Sequence, residues 1–305
     1  MLPRLTAEDY ARFLALQGYR VRRTPSAFWF EANRWFFLAA PHHREYCLES
    51  EELRSLFRSW GCFGVRYAAP AESAQGKPSY QIVLDRRPYG LEQLSANVRS
   101  KVRRGLRRCD VRSANLADLE REGWELHLET LKRQNRDEAW TSDRWARFWR
   151  AARQTPGIEG WGAWVEGRLA AFLVTVTFED AVEFLLSRSS TEERGAYPNN
   201  ALIFAVAEEM LMRRKVPEIT FGLESLEPVK PLDDFKFGMG FRARPIRQVV
   251  VFHPFLRFLL NRPALREMVR GWIARREKQH VYWRKAAGLL RFAEETESKQ
   301  SLGGS

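Results

Sequence analysis

The 305-residue sequence predicts a mixed α/β chain, α+β in its details, in which a mixed sheet is flanked by helices. Three observations predict it. Within residues 162–188 the segments GAWVE, LAAFLVTVTF and AVEFLLSR are rich in β-branched, aromatic and apolar residues. Separated by turn signals at Gly167 and at Glu179-Asp180, they read as an antiparallel three-strand meander. A helix over about 199–214 then leads into a strand at Glu218, a crossover for which the right-handed connection is expected. Upstream, Leu94, Val98, Val102 and Leu106 recur at every fourth position, which predicts an amphipathic helix over 91–108.

The remaining elements follow in order. Residues 5–16 read as a helix, and 28–39 as a hairpin turning at Ala32-Asn33, since Asn accepts the positive φ such turns need. A helix at 50–60 and strands near 62–68 and 79–84 come next, the strands separated by a loop rich in Ala, Ser, Gly and Pro. Residues 110–114 read as a short strand, and 116–133 and 142–153 as helices, the second capped by Thr141 or Ser142. The strand at Glu218 runs into a loop that ends in Phe235-Lys236-Phe237-Gly238. A further strand is expected at 248–252, with Pro245 before it and His253-Pro254 ending it. Residues 255–292 read as helical, broken at Pro263, with ten Lys or Arg against two Glu. The tail from Glu294 reads as disordered. The expected organisation is a small α/β portion at 1–88, a main domain at 89–254, a basic helical segment at 255–293 and the tail at 294–305.

A formal charge of +12 points to an anionic partner, whether nucleic acid, a phosphorylated cofactor, a cell-wall precursor or an anionic lipid surface. Between Ser95 and Arg108 there are six basic residues and no acid, half of that net charge. Like charges on one helix repel, so the run needs a partner or a well-solvated face. Cys47, Cys62 and Cys109 are odd in number and lack CxxC spacing, which argues against a disulfide framework and a structural zinc site and favours a reducing compartment. The His42-His43 pair has no ligand-spaced partner, so no metal is expected. The N-terminal residues carry acids before a short apolar run and do not read as a signal peptide. No stretch reaches the ~20 apolar residues of a membrane span, and a cytoplasmic protein is expected.

Chemistry is expected at the strand that starts at Glu218. Glu224 follows Gly222-Leu223 at its end, the place where open α/β sheets receive ligands. It can accept a proton from an amine, directly or through water; the alternative is a residue that caps the next turn. Glu183 in the meander is the second carboxylate, with a surface cross-strand charge as its alternative. Lys236 lies between Phe235 and Phe237, so that the rings hold the segment down while the ammonium reaches an anion. The alternative is a snorkelling surface lysine.

From residue 110 onward the order is strand, two helices, three-strand meander, helix, strand, short helix, strand. With the segments NVRSKVRRGLRR (97–108), YPNNAL (197–202), FGLES (221–225) and DDFKFGMGF (233–241), this order resembles the GNAT acyltransferase superfamily and, within it, the Fem-type aminoacyltransferases and related GNAT-like N-acyltransferases. The resemblance implies a GNAT-like mixed sheet, with residues 1–88 as a degenerate first half. It implies direct attack of an amine on an activated acyl group, without a covalent enzyme intermediate. Glu224, Lys236 and Glu183 become the implied catalytic residues. The strand over 181–188 would offer backbone N–H groups to the acyl carbonyl, where two parallel strands splay apart.

The implied donor site comprises Arg188, Arg194, Gly195, Ala196, Tyr197, Asn199 and Asn200, at the start of the crossover helix, where N–H groups and the helix dipole favour phosphate. Phe235, Arg99 and Arg103 are the implied substrate contacts. Acyl-CoA is the first expected donor. Because that loop holds one glycine, aminoacyl-tRNA, serving a peptide or cell-wall precursor, is the alternative. A third reading is a non-catalytic protein that holds RNA or an anionic surface. The C-terminal helices, with Trp272, Trp283 and Phe292, also suit peripheral contact with an anionic inner-membrane surface. No DNA specificity is expected.

Overall fold

Local sequence sets most of the elements. In the computed structural model, which describes residues 3–133, 140–226, 230–277 and 283–290, they run α1 (Ala7–Leu16), β1 (Val21–Arg23), β2 (Phe28–Asn33), β3 (Phe36–Ala40), α2 (Ser50–Trp60), β4 (Gly64–Ala69), β5 (Lys77–Leu84), α3 (Ala96–Arg108), β6 (Asp110–Ala114) and α4 (Leu116–Arg133). Then come α5 (Ser142–Gln154), β7 (Ile158–Val165), β8 (Arg168–Thr177), β9 (Val182–Ser189), α6 (Pro198–Glu208), β10 (Ile219–Leu223), α7 (Lys230–Gly238), β11 (Arg242–Phe252), α8 (Pro254–Leu260) and α9 (Pro263–Glu277). The expected tail and Phe292 lie outside the described residues.

The chain forms two compact units that interleave along the sequence, Met1–Asp9 with Ile82–Gly222 and Val229–Ala243 in one, and Tyr10–Gln81 with Leu223–Pro228 and Arg244–Ser305 in the other. In the first unit the strand order is β10-β9-β8-β7-β6, with β9 parallel to β10 and the rest antiparallel. Trp145, Phe148 and Trp149 of α5 are buried, and Phe172 of β8 packs against Trp145 and Trp149. Thr141 caps α5, its side chain accepting from the Arg144 N–H at 3.2 Å. Between its first turn, which carries Asn199 and Asn200, and Glu208 at its end, the crossover helix α6 is apolar all round, the pattern of a covered helix; it packs on β7 and β8 and on α3. Gly105 permits the α3 contact, since a Cβ there would meet the Tyr197 carbonyl oxygen at 2.7 Å and the Ala201 Cβ at 2.9 Å.

The second unit has the order β1-β2-β3-β4-β11, in which β3 and β4 are parallel and joined through α2. Its core is aromatic, with Trp29, Phe37 and Tyr67 buried together with Leu56 and Val65. The Trp29 indole satisfies its N–H on Thr24 Oγ1 at 3.0 Å.

Four local readings change. The hairpin turns at Arg34 and Trp35, with Trp35 taking the positive φ of 61° and Asn33 paired in the strand. There Arg34 stacks on the Trp35 ring and Trp35 meets Phe63 edge-on, contacts that offset the backbone cost. The crossover helix ends as a π turn over Glu209–Arg213. The segment ending at Gly238 is not a loop but the short helix that the order of elements called for, α7 over Lys230–Gly238. Strand β11 begins at Arg242 and tolerates Pro245 because its pairing with β4 starts only at Arg247.

Candidate active site

The meander and the crossover create an opening between two parallel strands. β10 pairs with β9 only at Ile219↔Val182 and Thr220↔Glu183 among the described residues, although β9 continues to Ser189. On its other side β9 carries a bulge, since Leu186 pairs with Val174 and Phe184 with Thr175, which leaves Leu185 as the extra residue. Beyond Glu183 the edge of β9 facing β10 therefore leaves the ladder, and its backbone N–H groups can serve acceptors other than a strand, as the Ser189 N–H does on Thr130 Oγ1 at 3.2 Å. Three rings fill the base of the gap: Phe184 and Phe221 meet edge-on at 5.3 Å, and Phe221 lies 4.7 Å from Phe241.

Above these rings stands Lys236 of α7. Its ammonium is 5.5 Å from the Phe221 centroid and 3.2 Å from the Asp233 carboxylate, and the lysine side chain is only 14% exposed. The four-carbon stem is thus packed rather than trailing in solvent. A small pocket of about 80 Å³ lies here, lined by Lys236, Phe221, Phe235, Ser187, Arg188 and Asn199, among others.

Phe235, Asn199 and Arg133 also line a larger cleft of about 540 Å³ at the start of α6. Tyr197 sits in the left-handed region at φ 57° as the N-cap, Pro198 opens the helix, and the first helical bond is Ala201 N–H to the Tyr197 carbonyl at 3.1 Å. The N–H groups of Asn199 and Asn200 precede that bond, so the helix itself leaves them to another acceptor. Lys101, Arg133 and Arg194 bring three cations to the same cleft. Arg133 is held by the Ser189 carbonyl at 3.1 Å and Thr191 Oγ1 at 2.8 Å. Burial, followed by the nearby charge of Arg194, holds its guanidinium below the ordinary arginine range. An anion in the cleft would relieve that repulsion. The arrangement suits a ligand with phosphate at its outer part and a reactive carbonyl at the opened strand.

Most of the expected donor residues meet here. Arg194, Tyr197, Asn199 and Asn200 line the cleft and Arg188 the inner pocket, while Gly195 and Ala196 act through their carbonyls, accepting from Arg108 at 2.9 Å and from the Cys109 thiol at 3.6 Å. Arg188 is oriented by the fully buried His127, whose Nδ1 accepts from its Nε at 2.9 Å. Phe235 lines both cavities.

Arg99 and Arg103 turn elsewhere. Both pair with Glu92, at 2.9 and 3.6 Å, and neither lines the two cavities. The face of α3 directed to the α6 entry carries Lys101 in the cleft, Arg104 over the Tyr197 ring and Arg108 on Gly195. Spacings of three and four along a helix place 101, 104 and 108 together. That pattern was present in the sequence, as was Arg133 at the end of α4, but nothing local marks which face meets α6. Glu183 is buried in β9 and lines neither cavity.

Glu224 belongs to the second unit and to a network there. Its carboxylate accepts from Ser79 Oγ at 2.6 Å, and its backbone carbonyl from Arg66 at 3.2 Å and from Gln248 Nε2 at 3.0 Å. The Gln248 side chain, fully buried, bridges Arg66 and Ser79. Burial lowers the Arg66 guanidinium to about 10, and the Glu224 charge acts in the opposite sense. Among the described residues no cluster of His, Cys, Asp and Glu is disposed to hold a metal ion.

Comparison with known proteins bears on this site. Residues 94–236 match the model of an acetyltransferase (GNAT) domain, a span that includes every residue lining the two cavities. No curated protein sequence matches the chain. Among solved structures it is similar to the C-terminal domain of a putative lysylphosphatidylglycerol synthetase from Agrobacterium fabrum, at 13% identity and a TM-score of 0.55, covering 80% of this chain and 88% of that one. FemX superposes at 12% identity and a TM-score of 0.55, over 82% and 93% of the two chains. L-PGS from Bacillus licheniformis does so at 13% identity and 0.52, over 79% and 87%. At these identities the likeness is one of fold. The opened strand pair, the crossover helix and the matched span agree: residues 94–236 form a GNAT acetyltransferase domain, and the protein is an acyltransferase built on it.

Proposed function

We propose that this acyltransferase moves an acyl group from a phosphorylated thioester donor, acyl-CoA, to the amine of an anionic acceptor by direct attack, without a covalent enzyme intermediate. One observation carries the reading: the parallel pair β9–β10 opens beneath Lys236, beside a cleft that combines the start of α6 with Lys101, Arg133 and Arg194. Donor phosphates would lie against the Asn199 and Asn200 N–H groups and the three cations, where the helix dipole and charge both favour anions. The acyl carbonyl would accept from the freed edge of β9. As the amine attacks, the carbonyl oxygen takes up negative charge, and preorganised donors of this kind are typically worth ~3 kcal/mol in the transition state. Lys236 adds a cation at that pocket. The thiolate leaves with the electron pair of the broken C–S bond, and the amine's proton passes to a carboxylate through water. Glu183, buried in β9 at the last residue paired with β10, is the carboxylate proposed for that step within the first unit.

Transfer of an amino acid from aminoacyl-tRNA is the second reading. It is favoured by the exposed Arg103, Arg104 and Arg107 on α3 and by the single glycine of the Glu192–Ala196 turn. The solved relatives named for lysylphosphatidylglycerol synthesis support an anionic acceptor under either reading. Mass spectrometry of ligands that co-purify with the protein, followed by binding of acetyl-CoA and of total tRNA, decides between them. Retention of acyl-CoA supports the first reading, retention of tRNA the second.

A further inference from the structure

The second unit holds an apolar cavity of about 260 Å³ that the transfer chemistry does not use. Its walls are Phe36, Phe63 and Phe252 from the sheet side, Leu256, Leu259 and Leu260 from α8, Val269 and Ile273 from α9, and Leu289 and Leu290 from the helical residues 283–290. Polar lining is confined to Asn33, Arg34 and Lys285. The two helices that close it are also apolar outside. Phe255 and Phe258 of α8 are 64% and 58% exposed, and Met268 and Trp272 of α9 are 63% and 46% exposed. A helix with apolar residues on its inner and outer faces belongs in an apolar medium on both sides.

Charge identifies that medium. Arg257, Arg262, Arg266, Arg270, Arg275 and Arg276 lie on α8, α9 and the link between them, against Glu267 and Glu277 as acids. Two of these guanidinium groups cover exposed rings, Arg262 over Phe258 at 4.8 Å and Arg276 over Trp272 at 4.3 Å, and Trp272 meets Trp283 edge-on at 4.4 Å. Apolar side chains that project outward among arginines match a leaflet whose hydrocarbon lies beneath anionic headgroups. An RNA partner would match the cationic component alone, through its phosphates.

We infer that the α8–α9 face docks on an anionic phospholipid surface and that the cavity behind it receives one acyl chain of a bound lipid. Arg34 and Lys285 at the cavity wall are then the groups that meet the phosphate of that lipid. The inference is independent of which donor the transferase site takes.

The test uses the full chain and vesicles. Co-sedimentation with phosphatidylglycerol–phosphatidylcholine vesicles is expected to exceed that with pure phosphatidylcholine at least tenfold, and to fall when salt is raised. The triple variant F255A/F258A/W272A and the charge variant R257E/R262E are each expected to lower binding at least tenfold, with far-UV circular dichroism unchanged. The charge variant leaves the apolar residues in place, so it keeps the test intact if the triple variant fails to fold. Phosphatidylglycerol brominated on its acyl chains is expected to quench tryptophan fluorescence, and Ala286→Trp, which fills the cavity, to reduce lipid retention after gel filtration. Equal binding to neutral vesicles, binding unchanged in both variants, or retention of RNA in place of lipid would overturn the inference.

Discussion

The Lys236 ammonium lies 3.2 Å from the carboxylate of Asp233 one turn earlier on α7, with both side chains largely withdrawn from solvent. The pair holds the ammonium above the Phe221 ring, at the pocket beside the opened strands. Its worth to stability is small, about 1 kcal/mol, because a pair three residues apart on a helix and a single cation–π contact are each weak. Lys236→Ala is therefore expected to reduce transfer at least about 100-fold while lowering the melting temperature by roughly 2–4 °C. A transfer assay run beside a thermal melt checks it, and a retained rate removes Lys236 from the mechanism.

Helix α3 offers an internal control for donor binding. Lys101 lines the cleft, whereas Arg99, two residues away, is paired with Glu92. Lys101→Ala is expected to weaken binding of a phosphorylated donor about tenfold, or 1.4 kcal/mol, and to flatten its salt dependence. Arg99→Ala is expected to leave the affinity within about twofold, since an exposed ion pair contributes little. Titration calorimetry at two salt concentrations distinguishes the variants, and equal losses would return the basic face to the role of a diffuse field.

The Glu224 carboxylate accepts from Ser79, and Ser79 accepts in turn from Gln248, the residue that also holds Arg66. Glu224→Gln removes a charge from beside a buried guanidinium, and a loss of about 1–3 kcal/mol in unfolding free energy is expected. Glu183→Gln on β9 is expected instead to lower the rate by far more than the fraction unfolded accounts for. Denaturant melts and rates measured on one preparation of each variant separate the structural role from the chemical one.

Alkaline pH reports on Tyr89. Its hydroxyl donates to the Met239 carbonyl at 2.9 Å, and burial, with the charge of Glu208 adding to it, pushes the phenol well above the usual range. In the unfolded chain a tyrosine ionises near pH ~10. Above that pH the unfolded state binds fewer protons than the folded one, so stability is fully present below about pH 10 and declines as pH rises. Tyr89→Phe is expected to flatten this decline, at a cost of about 1 kcal/mol at neutral pH for the carbonyl left behind. Denaturation midpoints at about pH 8 and about pH 11 would show it; an unchanged alkaline slope would shift the effect to other tyrosines.

Residues 50–60, 110–114 and 116–133 are legible in the sequence because periodicity, caps and turn residues are properties of neighbouring positions, and the structure places α2, β6 and α4 over the same spans. The three-strand meander and its crossover helix were legible for the same reason, and with them the superfamily fold. The choice of cations was not. Arg99 and Lys101 are cations two residues apart on one helix, and only the packing of α3 on α6 through Gly105 directs one to Glu92 and the other to the cleft. Arg66 and Gln248, 182 residues apart, meet because β4 pairs with β11. The Arg34–Trp35 turn depends likewise on Phe63, a residue from another segment. Periodicity acts over a few residues and writes itself into the chain, whereas the contacts that select among similar side chains exist only after distant segments have paired.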